Sequence, residues 1–260
     1  MGDRPLLPTF IIGGAPRSGT TFLCHALDRH PDVYMAKPYI PEPKVFLTGP
    51  RDHAAYCARY ASLFAGAGAR RALGEKTSYY LESAEACALI HEHLPDVRML
   101  FVVREPVARA YSNYLWSRQN GLETLSFEEA IGLEGRRPSP LPPEQAYARP
   151  FDYLRRGEYD VLARRYYETF GPDAVAFFLY EDVIRQPERR LPDIQAFIGV
   201  DPLPLDVGGL GPINAAEATG PPLDPALRRR LWRHFRPSVK RFGALTGLDL
   251  SPWERDAGEG

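Results

Sequence analysis

The sequence predicts an α/β fold: a single P-loop-like domain with a central parallel β-sheet flanked by helices. Three observations carry this. Short, wholly apolar, β-branched runs alternate with helical patterns along the chain, as expected of strands buried on both faces of a parallel sheet. The first such run feeds a glycine-bearing loop that opens a helix. The 260 residues are 44% hydrophobic and 25% charged, an ordinary balance for a folded chain with apolar surface to bury. Length alone allows one large domain or two small ones. The unbroken alternation favours one, over residues 1–254, with a disordered tail at 255–260.

Thr9 to Gly13 reads as the first buried strand, and Phe22, Leu23, Ala26 and Leu27 then recur at helical spacing until His30-Pro31 stops the pattern. Val33 to Met35 reads as the next strand. Beyond it Pro38 to Pro43 blocks regular structure, giving a rigid, exposed loop suited to an active site. Ala72 to Gly74 is a short strand, Ala84 to Leu94 a helix, and Val97 to Val103 the most continuous buried strand in the chain. Helices follow at Pro106 to Arg118, opened by proline in its first turn, at Phe127 to Leu133 and at Glu158 to Phe170. Ala174 to Leu179 is the last strand, Gly135 to Pro150 a long surface loop, and Ala226 to Leu245 a closing basic amphipathic helix.

Lysine and arginine number 32 against 33 aspartates and glutamates, a net charge of −1, so no global field draws the chain to nucleic acid or to a membrane. Any anion site must be local. Cys24, Cys57 and Cys87 are widely spaced and form no CxxC, which implies neither a disulfide framework nor a zinc site and favours a reducing compartment. No signal-like stretch and no run of about 18 apolar residues is present, so a cytoplasmic protein is expected.

The loop Gly-Ala-Pro-Arg-Ser-Gly-Thr-Thr, residues 14–21, aims backbone N–H groups and a helix N-terminus at one point. Compared with G-x-x-x-x-G-K-[ST], Thr20 stands where the triphosphate-binding lysine belongs, and the cation has moved to Arg17. Arg17 with the hydroxyls of Ser18, Thr20 and Thr21 suits one phosphate or phosphosulfate. At the end of the strand Val97 to Val103 stands Arg104, where a P-loop NTPase has a metal-binding carboxylate. A guanidinium there repels Mg²⁺ and offers a bidentate grip on a second phosphate, to which Ser112 can add a hydroxyl.

These residues resemble the sulfotransferases that use 3′-phosphoadenosine 5′-phosphosulfate (PAPS), nearest the heparan-sulfate-type branch. Similar proteins carry a 5′-phosphosulfate loop matching Pro16 to Thr21, a His-Pro-Asp-Val turn matching His30 to Val33, and a Lys-Glu-Pro-x-x-Phe element matched by Pro41 to Phe46. Their Gly-Glu-Lys-x-x-x-Tyr segment is matched by Gly74 to Tyr80, and their 3′-phosphate element by Arg104, Pro106, Arg109, Ser112 and Tyr114. The resemblance implies Glu42 as general base. Arg17 and Lys76 are the candidates for stabilising the leaving phosphate and the transferring group. Arg17, Ser18, Gly19, Thr20, Thr21, Arg104 and Ser112 are the candidates for holding PAPS, with no metal and a small-molecule or glycan acceptor. There are departures. Arg17 replaces the family's lysine, and Pro41 stands before Glu42 where lysine is usual, with Lys44 able to supply that charge. The segment Asp201 to Pro222 holds no Lys or Arg, leaving Asn214 as a substitute toward the 3′-phosphate.

Without the resemblance, Glu42 is a solvated carboxylate and Lys76 a surface lysine paired with Glu75. Arg155 to Tyr167 reads as a helix with a solvated basic face, and His53 is an alternative base. The rival functions are a P-loop kinase of a small molecule and a nucleotide-binding module of this fold that has lost catalysis.

Overall fold

Five short strands pair in parallel into one sheet: β1 (Phe10–Gly14), β2 (Val33–Met35), β3 (Ala72–Lys76), β4 (Arg98–Val103) and β5 (Val175–Leu179), in the order β2-β3-β1-β4-β5. The computed structural model describes residues 6–210 and 220–256. β1 is central, with Ile12 opposite Lys76 on one side and opposite Leu100 on the other. From β1 the chain passes to the edge strand β2, returns through β3 beside β1, and then crosses to β4 and β5 on the other side. The carboxyl end of β1 is therefore the switch point at which ligands of open α/β sheets bind.

Both faces of the sheet are covered, so β1 and the run Met99 to Val103 of β4 are apolar without alternation. Phe10, Ile12, Leu100 and Val102 face one core with Phe22, Leu23, Ala26 and Leu27 of α1 (Thr20–Leu27). Val183 of α7 (Tyr180–Arg185) and Leu191 and Ile194 of α8 (Pro187–Phe197) close the same cluster. On the opposite face Phe101 stacks on Phe177 at 4.9 Å and meets Tyr166 edge-on at 4.6 Å. The Tyr166 hydroxyl donates to the Tyr80 carbonyl at 2.6 Å, which ties this face to the segment leaving β3.

The described residues gather into two compact units, one of residues 6–103 and 166–210, the other of 104–165 and 220–256. All five strands belong to the first. The second holds α4 (Pro106–Gln119), α5 (Phe127–Gly132), α9 (Pro225–Thr246) and α10 (Ser251–Asp256). α6 (Tyr159–Phe170) contributes its first part to the second unit and its last to the first. Glu105 caps α4 by accepting the N–H groups of Val107 and Ala108 at 2.9 and 2.8 Å, and pairs with Arg228 of α9 at 3.0 Å.

Three readings need correction. α2 (His53–Leu63) and α3 (Ala84–His93) precede β4, and α2 has no counterpart in the sequence pattern. Its inward stripe is Tyr56 and Tyr60, so it lacks the aliphatic periodicity that marks a helix. The stretch Arg155 to Tyr167 does not present a simple solvated basic face: Arg156 is buried and donates to Asn113 Oδ1 at 3.1 Å and to the Ala148 carbonyl at 3.2 Å. α10 continues through Arg255 and Asp256, where a disordered tail was expected, and residues 257–260 lie outside the described residues.

Candidate active site

β1 delivers the chain into the loop ahead of α1, and the Ala15 N–H donates to the Val102 carbonyl at 2.7 Å, rooting the loop on β4. Arg17 (φ 67°) and Gly19 (φ 75°) both take the left-handed conformation. At Gly19 glycine is needed twice over, because a Cβ would also stand 2.8 Å from the Tyr180 ring. Left-handed residues within such a loop turn successive N–H groups toward one concavity, the arrangement that receives anions. Ser18 is fully buried, and its Oγ has no hydrogen-bond partner among the described residues. A buried hydroxyl with no partner is costly unless something completes it, and here it lies in a loop of anion-binding form.

Glu42 lies in the proline-rich segment after β2. This segment is tied at its start by Tyr39, whose hydroxyl donates to Asp28 at the C-terminal cap of α1, and by the Lys37–Asp28 ion pair at 2.5 Å. Beyond Glu42, one Arg59 guanidinium donates to the carbonyls of Pro43, Val45 and Thr48 at 2.8, 3.2 and 2.6 Å. Lys44 is held at φ 52°, a left-handed backbone that costs a non-glycine residue roughly 1 kcal/mol or more and persists only where its surroundings fix it.

The Glu42 carboxylate accepts from three groups at the end of β3. Lys76 Nζ donates to Oε1 at 2.7 Å, Ser78 Oγ to the same oxygen at 2.8 Å, and the Ser78 N–H to Oε2 at 3.1 Å. Lys76, with only 5% of its side chain exposed, also reaches Thr21 Oγ1 at 3.3 Å. The Ser78 hydroxyl, its proton engaged by Glu42, lies 3.0 Å from Thr20 Oγ1 and so accepts from it. One connected set therefore links the expected base Glu42, Lys76 and the loop hydroxyls of Thr20 and Thr21. Lys76 pairs with Glu42 and not with Glu75, since successive residues of a strand point to opposite faces.

The helix beside this set carries two further titratable groups. Burial pushes the Cys24 thiol up to about 12, so it is no nucleophile. His25, its ring 4.3 Å from that of Tyr39, is lowered first by burial and then by the charges of Lys76 and Lys37, so it stays neutral.

Of the expected site residues, Arg17, Ser18, Gly19, Thr20, Thr21, Glu42 and Lys76 belong to the first unit, and Arg104 and Ser112 to the second. There Arg104 is half-buried, its carbonyl accepting from Tyr159 at 2.9 Å, and Ser112 is buried on α4. His53 makes its contacts with Cys57, at 3.4 Å, and with the His93 ring, not with the Glu42 set. Asn214 lies outside the described residues. Sequence reasoning gave no role to Ser78, which contacts Glu42 through both backbone and side chain. Its signal was its place two residues after Lys76, where β3 ends.

A family model described as a sulfotransferase domain matches residues 7–206. A crystal structure of a sulfotransferase from Alicyclobacillus acidocaldarius superposes with a TM-score of 0.78 at 30% identity, covering 95% of this chain and 99% of that one. Human heparan sulfate glucosamine 3-O-sulfotransferase 6 is 28% identical over 95% of this chain and 74% of its own length. The sulfotransferase domain of the curacin biosynthetic pathway, 14% identical with a TM-score of 0.52, shares the fold. Among the described residues no helix is long and apolar enough to cross a membrane. The phosphate-type loop without its lysine, the parallel sheet that carries it and these likenesses agree, and the chain belongs to the sulfotransferase family of enzymes.

Proposed function

We propose that this enzyme transfers a sulfuryl group from PAPS to a hydroxyl of a carbohydrate or other small-molecule acceptor, with no metal, and that residues 1–254 act as one sulfotransferase domain in the cytoplasm. The observation that carries the reading is the Glu42–Lys76–Thr21 chain, with contacts of 2.7 and 3.3 Å, which joins a carboxylate on a stiffened loop to a loop suited to anions. The 5′ end of the donor fits that loop, where the Ser18 hydroxyl lacks a partner among the described residues. When bound, PAPS supplies an activated sulfuryl group on a phosphate leaving group.

The chain's own residues do the rest. Glu42 takes the proton of the acceptor hydroxyl as its oxygen bonds to sulfur and the bond from sulfur to the phosphate oxygen breaks. Lys76, shared between Glu42 and Thr21, and Arg17 offset the charge that collects on the leaving oxygen. The backbone and hydroxyls from Ser18 to Thr21 hold the 5′ end, and Arg104 and Ser112 take the 3′-phosphate. A sugar hydroxyl is the acceptor favoured by the 28% likeness to an enzyme named for heparan sulfate glucosamine.

The test is Glu42→Gln, assayed for sulfate transfer from labelled PAPS across an acceptor panel. A positioned base contributes about 10²–10⁴ to kcat, so turnover should fall by that factor while the affinity for 3′-phosphoadenosine 5′-phosphate is unchanged. A variant within a few-fold of wild type, with His53→Ala inactive, would move the base to His53.

A further inference from the structure

The proposed mechanism leaves one fully buried carboxylate without a role. Glu75 neighbours Lys76 on β3 but points to the opposite face, where it is 0% exposed. Its Oε1 accepts from the Thr77 and Tyr80 hydroxyls, both at 2.7 Å, and its Oε2 accepts from Tyr60.

The direction of these bonds matters, because a hydroxyl has one proton to give. With their protons directed at Oε1, Thr77 and Tyr80 present lone pairs outward. Thr77 Oγ1 then accepts the Lys44 N–H at 3.0 Å, and Tyr80 OH accepts the Phe46 N–H at 3.2 Å. Both amides belong to the loop that carries Glu42, and Lys44 is its left-handed residue. A single oxygen thus fixes two hydroxyls, and they fix two backbone positions just beyond the proposed base. Tyr60 differs: it donates to Oε2 and accepts no loop amide among the described residues.

We propose that Glu75 is a positioning residue, whose Oε1 holds the Glu42 loop in place through Thr77 and Tyr80 while Lys76 and Ser78 hold the Glu42 carboxylate from the other side. The loop is thereby gripped by alternate residues of one strand end. The catalytic part of this proposal rests on Glu42 being the base; the structural part does not.

Residue-resolved amide hydrogen exchange on the whole chain tests it without an acceptor. One intramolecular hydrogen bond is worth about tenfold in a local opening equilibrium. Tyr80→Phe should therefore speed exchange at Phe46 by about tenfold, and Thr77→Val should do the same at Lys44. Tyr60→Phe removes a hydroxyl from the same carboxylate and should leave both amides as in wild type. Glu75→Gln should rescue, since its amide oxygen can replace Oε1 while its NH₂ turns toward Tyr60. Glu75→Leu should release both amides.

In the transfer assay Tyr80→Phe and Thr77→Val should lower kcat by about tenfold with the KM for PAPS unchanged. If Tyr60→Phe and Tyr80→Phe loosen the two amides equally, or neither does, Glu75 serves general stability only and the proposal fails. If the amides respond as expected but Glu42→Gln keeps full activity, it is the base assignment that fails, and Glu75's catalytic role with it.

Discussion

Each of the two units buries a glutamate inside a hydrogen-bonded cluster, and their proton equilibria shift in opposite directions. In the first unit, burial raises Glu75 above the usual carboxylate range, and the hydroxyls of Tyr60, Tyr80 and Thr77 only partly offset this. In the second, burial also raises Glu123, but hydrogen bonds from Arg137, Tyr153 and the Leu125 amide outweigh it and bring the group to about 2. Arg137 grips both Glu123 oxygens, at 3.0 and 2.6 Å, and lies over the Phe151 ring at 3.9 Å. Burial sets the cost of the charge, and the partners decide whether it is met. Neutral hydroxyls can direct a buried carboxylate without compensating it, whereas a planar guanidinium makes it a permanent anion. Glu123 accordingly staples the segment after α5 to the end of α4.

The comparison breaks most sharply at Arg137. Arg137→Met would leave Glu123, 3% exposed, as a buried anion without its cation. Removing one partner of such a pair costs about 3–5 kcal/mol, so the urea midpoint should fall steeply. A loss below about 1 kcal/mol would show that Tyr153 and the backbone amides suffice.

Next in size is the dependence on pH. Glu123 has its folded value near 2 against 4.5 for an ordinary glutamate. Between those values the unfolded chain binds more protons, so stability rises with pH and is lost as pH falls. The difference amounts to about 3 kcal/mol. Glu75 acts with the opposite sign: its folded value lies above 4.5, so the folded chain holds more protons there and stability declines as pH rises from 4.5 through the folded value. Unfolding free energies measured from pH 2 to pH 8 should lose the acid limb in Glu123→Gln and the upper decline in Glu75→Gln. Parallel curves for the two variants would abolish the contrast.

How much of this was legible in the sequence depends on the range of the interaction. β1, the loop after it and α1 could be read because apolar run, glycine and helical spacing are adjacent in sequence. The strand Val97 to Val103 was legible for the same reason and begins one residue later, at Arg98. The Glu42–Lys76 pair spans 34 residues, and nothing local announces it. Period-two alternation along β3 would nevertheless have excluded a Lys76–Glu75 pair. Arg156 was misread because a run of arginines looks solvated until the carbonyls that receive it are in place. Tyr56 and Tyr60 concealed α2 because tyrosine serves strand, helix and hydrogen-bond network alike.

The smallest expected effect separates two tyrosines that make the same kind of bond. Tyr60 and Tyr153 each donate a hydroxyl to a buried carboxylate oxygen, Tyr60 to Glu75 Oε2 and Tyr153 to Glu123 Oε2 at 2.7 Å. Their removal should not be equivalent. Glu123 Oε2 keeps Arg137 at 2.6 Å, so Tyr153→Phe loses one bond among several, at about 1 kcal/mol. Glu75 Oε2 has no other donor among the described residues, so Tyr60→Phe leaves a buried acceptor unmet, at roughly 2 kcal/mol and within the usual range of about 1–3. Chemical unfolding near pH 7 measures both. As pH falls, Glu75 can take up a proton, which relieves the unmet oxygen, so the Tyr60→Phe deficit should shrink while the Tyr153→Phe deficit stays constant down to about pH 5. Equal deficits at pH 7, or a Tyr60→Phe deficit that ignores pH, would mean that the two carboxylates differ less than their partners imply.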